Sequence, residues 1–220
     1  MLLKPIHLSV LAVLALGACV SAAPTAFEQD YDAARDALEA GDTSNALSRY
    51  EALIASYGEG PYRPVFEVEY AHALLRARMA DRAFSTARMA EQGALQYGDT
   101  ELLGRARMIG ALASADLAEQ ALARNAPRAQ VDQAIRTAFQ ALGETIARHP
   151  EIDPQGLMLV RMRELKEQMA RLELEALDEE RAAGQHARAR AHAHYILDHY
   201  GDTDTVLNAR DRLRDALAPR

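Results

Sequence analysis

Four histidines near the C-terminus are the strongest candidates in this sequence for a catalytic or metal-binding site. They are His186, His192, His194 and His199. A metal site on a helix needs ligands three or four positions apart on one face, but these histidines are separated by six, two and five positions. At most His192 and His199 share a face, two turns apart. We therefore expect no metal and histidines that face solvent or an interface. A histidine-cluster enzyme or metal-binding protein stays the alternative from another functional class.

The rest of the sequence carries no catalytic motif. It has no glycine-rich phosphate loop, no nucleophile elbow and no paired-histidine zinc motif. The formal net charge of −7 argues against nucleic acid as the main partner. The arginine-rich runs at 76–82 and 188–190 are more typical of solvated faces than of sites for acidic partners. We expect a protein that is not an enzyme and uses no cofactor.

The single cysteine, Cys19, follows a segment typical of an exported lipoprotein. Residues 1–18 contain a basic start and an apolar core over 6–16, too short to span a bilayer. Leu16-Gly17-Ala18-Cys19 resembles a bacterial lipobox, in which the cysteine thiol receives a diacylglyceryl group. The alternative is an ordinary secretory signal with a chance cysteine nearby. Val20 resembles the signal for forwarding to the outer membrane. We expect a signal peptide at 1–18, a lipidated tether at 19–26, and anchoring at the periplasmic face of the outer membrane.

An amphipathic helical pattern occurs twice, each time between two glycines. Between Gly41 and Gly58 the apolar positions are Ala46, Leu47, Tyr50, Leu53, Ile54 and Tyr57. The pattern returns 143 positions later as Gly184, Ala189, Ala193, Ile196, Leu197, Tyr200 and Gly201. Because tryptophan is absent and β-branched residues are scarce, composition favours helix over sheet. An internal echo with helical patterns between its copies predicts an all-α solenoid. Leu53 and Leu197 lie on the apolar stripes of the two copies, and we expect both to be buried.

The first copy resembles a tetratricopeptide repeat (TPR). Ala34 fits the small position of a first helix over 27–40, and Gly41-Asp42 fits the turn before the second helix. Gly58 stands where the repeat usually has proline, and we expect it to take the left-handed conformation that ends a helix. By this pattern the exposed groove for a partner includes Glu28, Tyr31, Arg35, Tyr70 and Arg78.

Further helical patterns fill the chain to its C-terminus. We predict a helix that starts near Pro61 and Pro64, a partner helix over 83–97, a longer hairpin over 99–148, and helices over 154–183, 185–200 and 203–217. This gives about four helix pairs and a C-terminal capping helix over 27–220. One heptad-like stripe is formed by Met158, Met162, Leu165, Met169, Leu172 and Ala176. It is either a partner-binding surface or a face that packs inside the solenoid.

Residues 19 to about 97 resemble the BamD (YfiO) family, the TPR lipoproteins of the outer-membrane β-barrel assembly machine. The resemblance is carried by Cys19, the Gly41-Asp42 repeat, the Tyr57 to Tyr62 junction with Gly60-Pro61, and a turn at Ala80-Asp81. It implies a periplasmic scaffold that mediates protein–protein interactions. The expected partners are other envelope proteins, among them the β-barrel assembly machine. A Tol–Pal or pilus-assembly TPR protein is the alternative, because such proteins have similar junctions.

Overall fold

The computed structural model describes residues 25–218, and this part of the chain is built from helices without a strand. Ten α-helices and one 3₁₀ turn follow one another in chain order. They are α1 (Ala26–Glu39), α2 (Thr43–Tyr57), α3 (Arg63–Arg76), α4 (Ala80–Tyr97), α5 (Thr100–Ala123), α6 (Arg128–Arg148), the turn Pro150–Ile152, α7 (Leu157–Ala182), α8 (His186–Tyr200), α9 (Asp204–Asn208) and α10 (Arg210–Leu217). The predicted signal peptide and Cys19 lie outside the described residues.

Each long helix packs on the next one in the chain, from α1 through α8. The first helices of successive pairs also meet, because α3 contacts α5 and α5 contacts α7. Pairs stacked in this way form a solenoid, in which each unit buries its apolar face against its neighbours. The predicted all-α TPR-like solenoid is confirmed.

Short polar side chains set where several helices begin. Thr25 and Glu28 form a capping box at α1, with Thr25 Oγ1 accepting from the Glu28 backbone N–H at 3.3 Å. Asp42 accepts from the backbone N–H of Asn45 at 3.2 Å at the start of α2. Asp99 accepts from the backbone N–H of Leu102 at 2.9 Å at the start of α5. These contacts satisfy backbone donors that have no partner within the helix.

The glycines of the repeated pattern have two different structural roles. Gly41 and Gly184 have φ values of +80° and +71°, so both turns use the left-handed region that favours glycine. Gly58 has a φ of −75°, and our expectation of a left-handed cap there is wrong. Glycine is needed at 58 for space, because a Cβ would lie 2.0 Å from the carbonyl oxygen of Ile54. Gly201 repeats this contact, with 2.5 Å to the carbonyl oxygen of Leu197.

Two of the predicted boundaries differ from the structure. Ala80-Asp81 lies in the first turn of α4, while the chain reverses at Arg78, which has a φ of +60°. The helix expected over 203–217 divides at Ala209 into α9 and α10. Both differences concern helix ends, where local hydrogen bonds outweigh the apolar period that the sequence shows.

The core consists of the apolar stripes of the paired helices. Leu53 is 2% exposed, and the stripe of α2 packs against α1 and α3 as predicted. Leu197 is 38% exposed, so its expected burial is wrong, and its neighbour Ile196 is the fully buried residue. The stripe of α7 lies largely inside the core, with Met158, Leu165, Met169 and Leu172 buried. It is therefore a packing face of the solenoid.

Candidate functional site

Ion pairs connect the first helices of successive pairs along one face. Glu69 on α3 pairs with Arg105 on α5, and Asp116 on α5 accepts from Arg161 on α7 at 2.7 Å. We call this surface the first-helix face, defined by Tyr31, Arg35, Glu69, His72, Arg105, Asp116 and Arg161. Glu69 is buried, while the side chains of Arg105 and Arg161 are 39% and 23% exposed, so the face can offer guanidinium groups to a partner as well as packing.

Tyr31 and Arg35 form the part of this face on α1. The Tyr31 ring is half-buried and contacts the Phe66 ring with the centroids 6.0 Å apart. The guanidinium of Arg35 lies over the Tyr31 ring at 5.9 Å from the centroid. Burial raises the pKa of the Tyr31 phenol, and the Glu69 carboxylate adds to this rise. At neutral pH the phenol is therefore a neutral hydrogen-bond donor beside a cation.

Tyr70 is not an exposed groove residue, although the repeat pattern predicted one. It is 7% exposed and points between the second helices, where its hydroxyl donates to Glu51 on α2 and accepts from Arg82 on α4. Arg82 also pairs with Glu51 at 2.9 Å. Burial, followed by the hydrogen bond to Glu51, raises the pKa of Tyr70 to about 12. Tyr70 thus connects α2, α3 and α4.

The other two predicted groove residues lie at helix ends. Glu28 accepts from the backbone N–H of Thr25 at 2.7 Å within the capping box of α1. Arg78 lies in the turn between α3 and α4 and is exposed, with its guanidinium 3.7 Å from the Asp116 carboxylate. Binding by any of the five residues stays a prediction. The structure brings Tyr31 and Arg35 together, while Glu28 and Tyr70 have structural partners.

The ion pairs that cross between first helices were not predicted from the sequence. Glu69 and Arg105 are 36 positions apart, and Asp116 and Arg161 are 45 positions apart. Neither separation has a local signature such as the i,i+4 spacing of charges on one helix. Only the stacking of one pair on the next brings these residues together.

His192 is the histidine that the structure places in a polar cluster. Its side chain is 14% exposed, and both ring nitrogens face carboxylates, Glu173 at 2.9 Å and Glu180 at 3.1 Å. Both carboxylates lie on α7, so His192 holds α8 against α7, and the expectation that it faces solvent or an interface is wrong. His194 and His199 are exposed. Within residues 25–218 no group of three His, Cys, Asp or Glu side chains is placed to hold a metal ion.

A cleft of about 300 Å³ lies between α4 and α6, with α5 as its floor. The floor is lined by small residues, among them Gly110 and Ser114. On the rim, Glu91 accepts from Arg88 at 2.7 Å and from Arg107 at 3.0 Å. These three side chains carry a net charge of +1, and all three are engaged in ion pairs within the protein.

A second concavity, of about 650 Å³, opens at the N-terminal end of the solenoid. Phe27, Tyr57 and Tyr62 line it, and the Phe27 ring centroid lies 5.2 Å from that of Tyr57 and 5.7 Å from that of Tyr62. We call this surface the aromatic end. Tyr62 is 60% exposed there, the largest exposed fraction among the large hydrophobic side chains of residues 25–218.

Comparison with known proteins identifies a protein family. A family model described as YfiO, outer membrane lipoprotein, matches residues 25–217 and so covers nearly all of the described chain. No curated protein matches the sequence. No helix in residues 25–218 is long and apolar enough to cross a membrane.

Proposed function

This chain belongs to the YfiO family of outer membrane lipoproteins, and on that premise we propose that it is a lipid-anchored scaffold for other envelope proteins. Cys19 carries the anchor, and the solenoid lies at the periplasmic face of the outer membrane. The protein works by binding and without catalysis. Its most direct role is in the assembly of β-barrel proteins into the outer membrane.

The observation that carries this proposal is the first-helix face. Repeat scaffolds bind partners along extended surfaces made by equivalent helices of successive units. Here such a surface combines the half-buried ring of Tyr31, the cation of Arg35 above it, and the charge pairs between α3, α5 and α7. Tyrosine and arginine contribute large shares of interface energy because they offer a wide contact area together with hydrogen-bond donors.

The family assignment supports β-barrel assembly over the Tol–Pal and pilus-assembly alternatives. The match extends through α10, whereas the resemblance read from the sequence reached only to about residue 97. The later helix pairs therefore belong to the same family pattern as the first repeat. Partners are accordingly expected among the proteins that insert barrels.

The test is capture of partners from detergent-solubilised outer membrane by the lipidated protein. We expect Tyr31→Ala and Arg35→Glu each to weaken capture by about 1 kcal/mol or more, which corresponds to about fivefold. Arg49→Glu is the matched control, because Arg49 is exposed on α2 and its side chain bonds to Asn45 of its own helix, at 3.0 Å. Circular dichroism checks that each variant is folded. Equal capture by wild type, Tyr31→Ala and Arg35→Glu would contradict the proposal, as would an equal loss in Arg49→Glu.

A further inference from the structure

The aromatic end is the part of the described chain nearest to the predicted lipid anchor. Phe27 follows Cys19 by eight residues. A fully extended chain spans at most about 3.6 Å per residue, so the two residues can be no more than roughly 29 Å apart. An acylated Cys19 therefore keeps Phe27 within roughly 29 Å of the membrane surface, a range in which the aromatic end can reach it.

The chemistry of the aromatic end suits the boundary between lipid headgroups and acyl chains. Phe27, Tyr57 and Tyr62 offer ring faces, and tyrosine is enriched at this depth because its ring is apolar and its hydroxyl is polar. Ile54 and Ala55 extend the apolar lining.

Charged side chains are few on this surface. Only Glu59 and Arg63 are charged among the residues that line the concavity. Arg63 pairs with Glu67 on its own helix at 2.8 Å, and its side chain is 53% exposed. A long arginine side chain at this position can reach lipid phosphates while the neighbouring aromatic rings lie deeper in the membrane.

We propose that the aromatic end docks on the lipid surface of the leaflet that holds the acyl chains of Cys19. Tyr62, with support from Phe27 and Tyr57, enters the headgroup region and orients the solenoid relative to the membrane. The lipid anchor of the proposed function is a premise of this contact. The acyl chains hold the protein on the membrane, and the aromatic end determines which face of the solenoid is turned toward it.

The test uses the lipidated full-length protein in vesicles of phosphatidylethanolamine and phosphatidylglycerol. The natural sequence has no tryptophan, so Tyr62→Trp introduces a single tryptophan, which can be excited selectively over the tyrosines. Leu197→Trp is the control, since Leu197 is exposed on α8, in a distant unit of the solenoid. We expect a blue-shifted emission for Tyr62→Trp and at least twofold stronger quenching by lipids with brominated acyl chains than for Leu197→Trp.

Sedimentation of the vesicles separates the two ways in which the proposal can fail. If the protein sediments and the two variants are quenched equally, the aromatic contact is wrong while the lipid anchor stands. If the protein stays in the supernatant, the proposed lipid anchor is wrong, and so is the membrane contact that depends on it. A tryptophan at position 62 that responds only to an added envelope protein would assign the aromatic end to a protein partner and overturn the proposal.

Discussion

Two leucines, one in each copy of the repeated pattern, have different surroundings, because Ile196 and not Leu197 lies 143 positions after Leu53. Leu53 is packed in the core shared by α1, α2 and α3, whereas Leu197 on α8 is 38% exposed. In α8 the neighbouring Ile196 takes the fully buried position. The cost of truncating a side chain depends on how much of it the fold buries, so the two leucines should contribute very different free energies.

We predict that Leu53→Ala lowers the free energy of unfolding by about 2–5 kcal/mol, the range found for buried leucines. Leu197→Ala should cost about 1 kcal/mol or less, because partly exposed substitutions leave little cavity. Urea unfolding followed by circular dichroism measures both, with Cys19→Ser as a common background to avoid lipid. Equal losses in the two variants would show that the burial pattern is wrong.

Residue by residue, the sequence predicts burial better than it predicts polar partners. The spacing of Tyr50 and Leu53 identifies the buried stripe of α2, because the helical period is a local property. The orientation of Tyr70 depends on Glu51 and Arg82, which lie on two other helices. The pattern places Tyr70 on a face but contains no information about which neighbour offers an acceptor.

Helix α4 contains one glycine that lets it approach its neighbour closely. A Cβ on Gly93 would lie 2.4 Å from Cγ of Pro64, at the start of α3. Gly110 on α5 differs, because a Cβ there would meet only Cβ of Ala87, at an ordinary 3.6 Å. Alanine substitutions at Gly93 and at Gly110 therefore separate the effect of close packing from the higher helix propensity of alanine.

We predict that Gly93→Ala destabilises the fold by about 1–3 kcal/mol, because the proline ring and the helix must move apart. Gly110→Ala should be neutral or stabilising by up to about 1 kcal/mol, since alanine is the better helix former and space is available. Thermal melting of the two variants side by side gives the order. A more stable Gly93→Ala than Gly110→Ala would refute the packing of α3 on α4.

Helices were predictable as elements, while their ends and contacts were less so. All the long helices lie where the apolar period indicated them, and the hairpin expected over 99–148 is α5 and α6. The reversal at Arg78 was missed because a non-glycine residue with positive φ has no reliable sequence signal. The reason for Gly58 was also missed, since its close contact with Ile54 exists only in three dimensions.

At the scale of the whole molecule, the proposed lipid anchor at Cys19 is what would place the scaffold at the membrane. We predict that Cys19→Ser releases the protein from membranes into the soluble periplasm. Each buried CH₂ of an acyl chain contributes about 0.8 kcal/mol, so a multiply acylated cysteine holds firmly and its loss leaves only the weak contact of the aromatic end. Cell fractionation with a high-salt wash measures this. A Cys19→Ser protein that still pellets with membranes would contradict the lipid anchor.

The sequence predicts the solenoid as a whole because its units share a local pattern of apolar positions at helical spacing. An internal echo, a helical composition and turns after short intervals determine an all-α stack before any contact is known. The first-helix face does not follow in this way, because the pair Glu69 and Arg105 exists only once two units are stacked. The partner has still less of a sequence signature, since it depends on the surface of another protein.

Crosslinking in intact cells tests whether the first-helix face binds an envelope protein. A photoreactive amino acid replaces His72, which is exposed on α3 within electrostatic reach of Glu69 and Arg105. The same amino acid at Arg49 on α2 is the control. The account predicts a discrete crosslinked envelope protein from position 72 and none from position 49. Crosslinks from position 49 alone, or the same products from both positions, would contradict it.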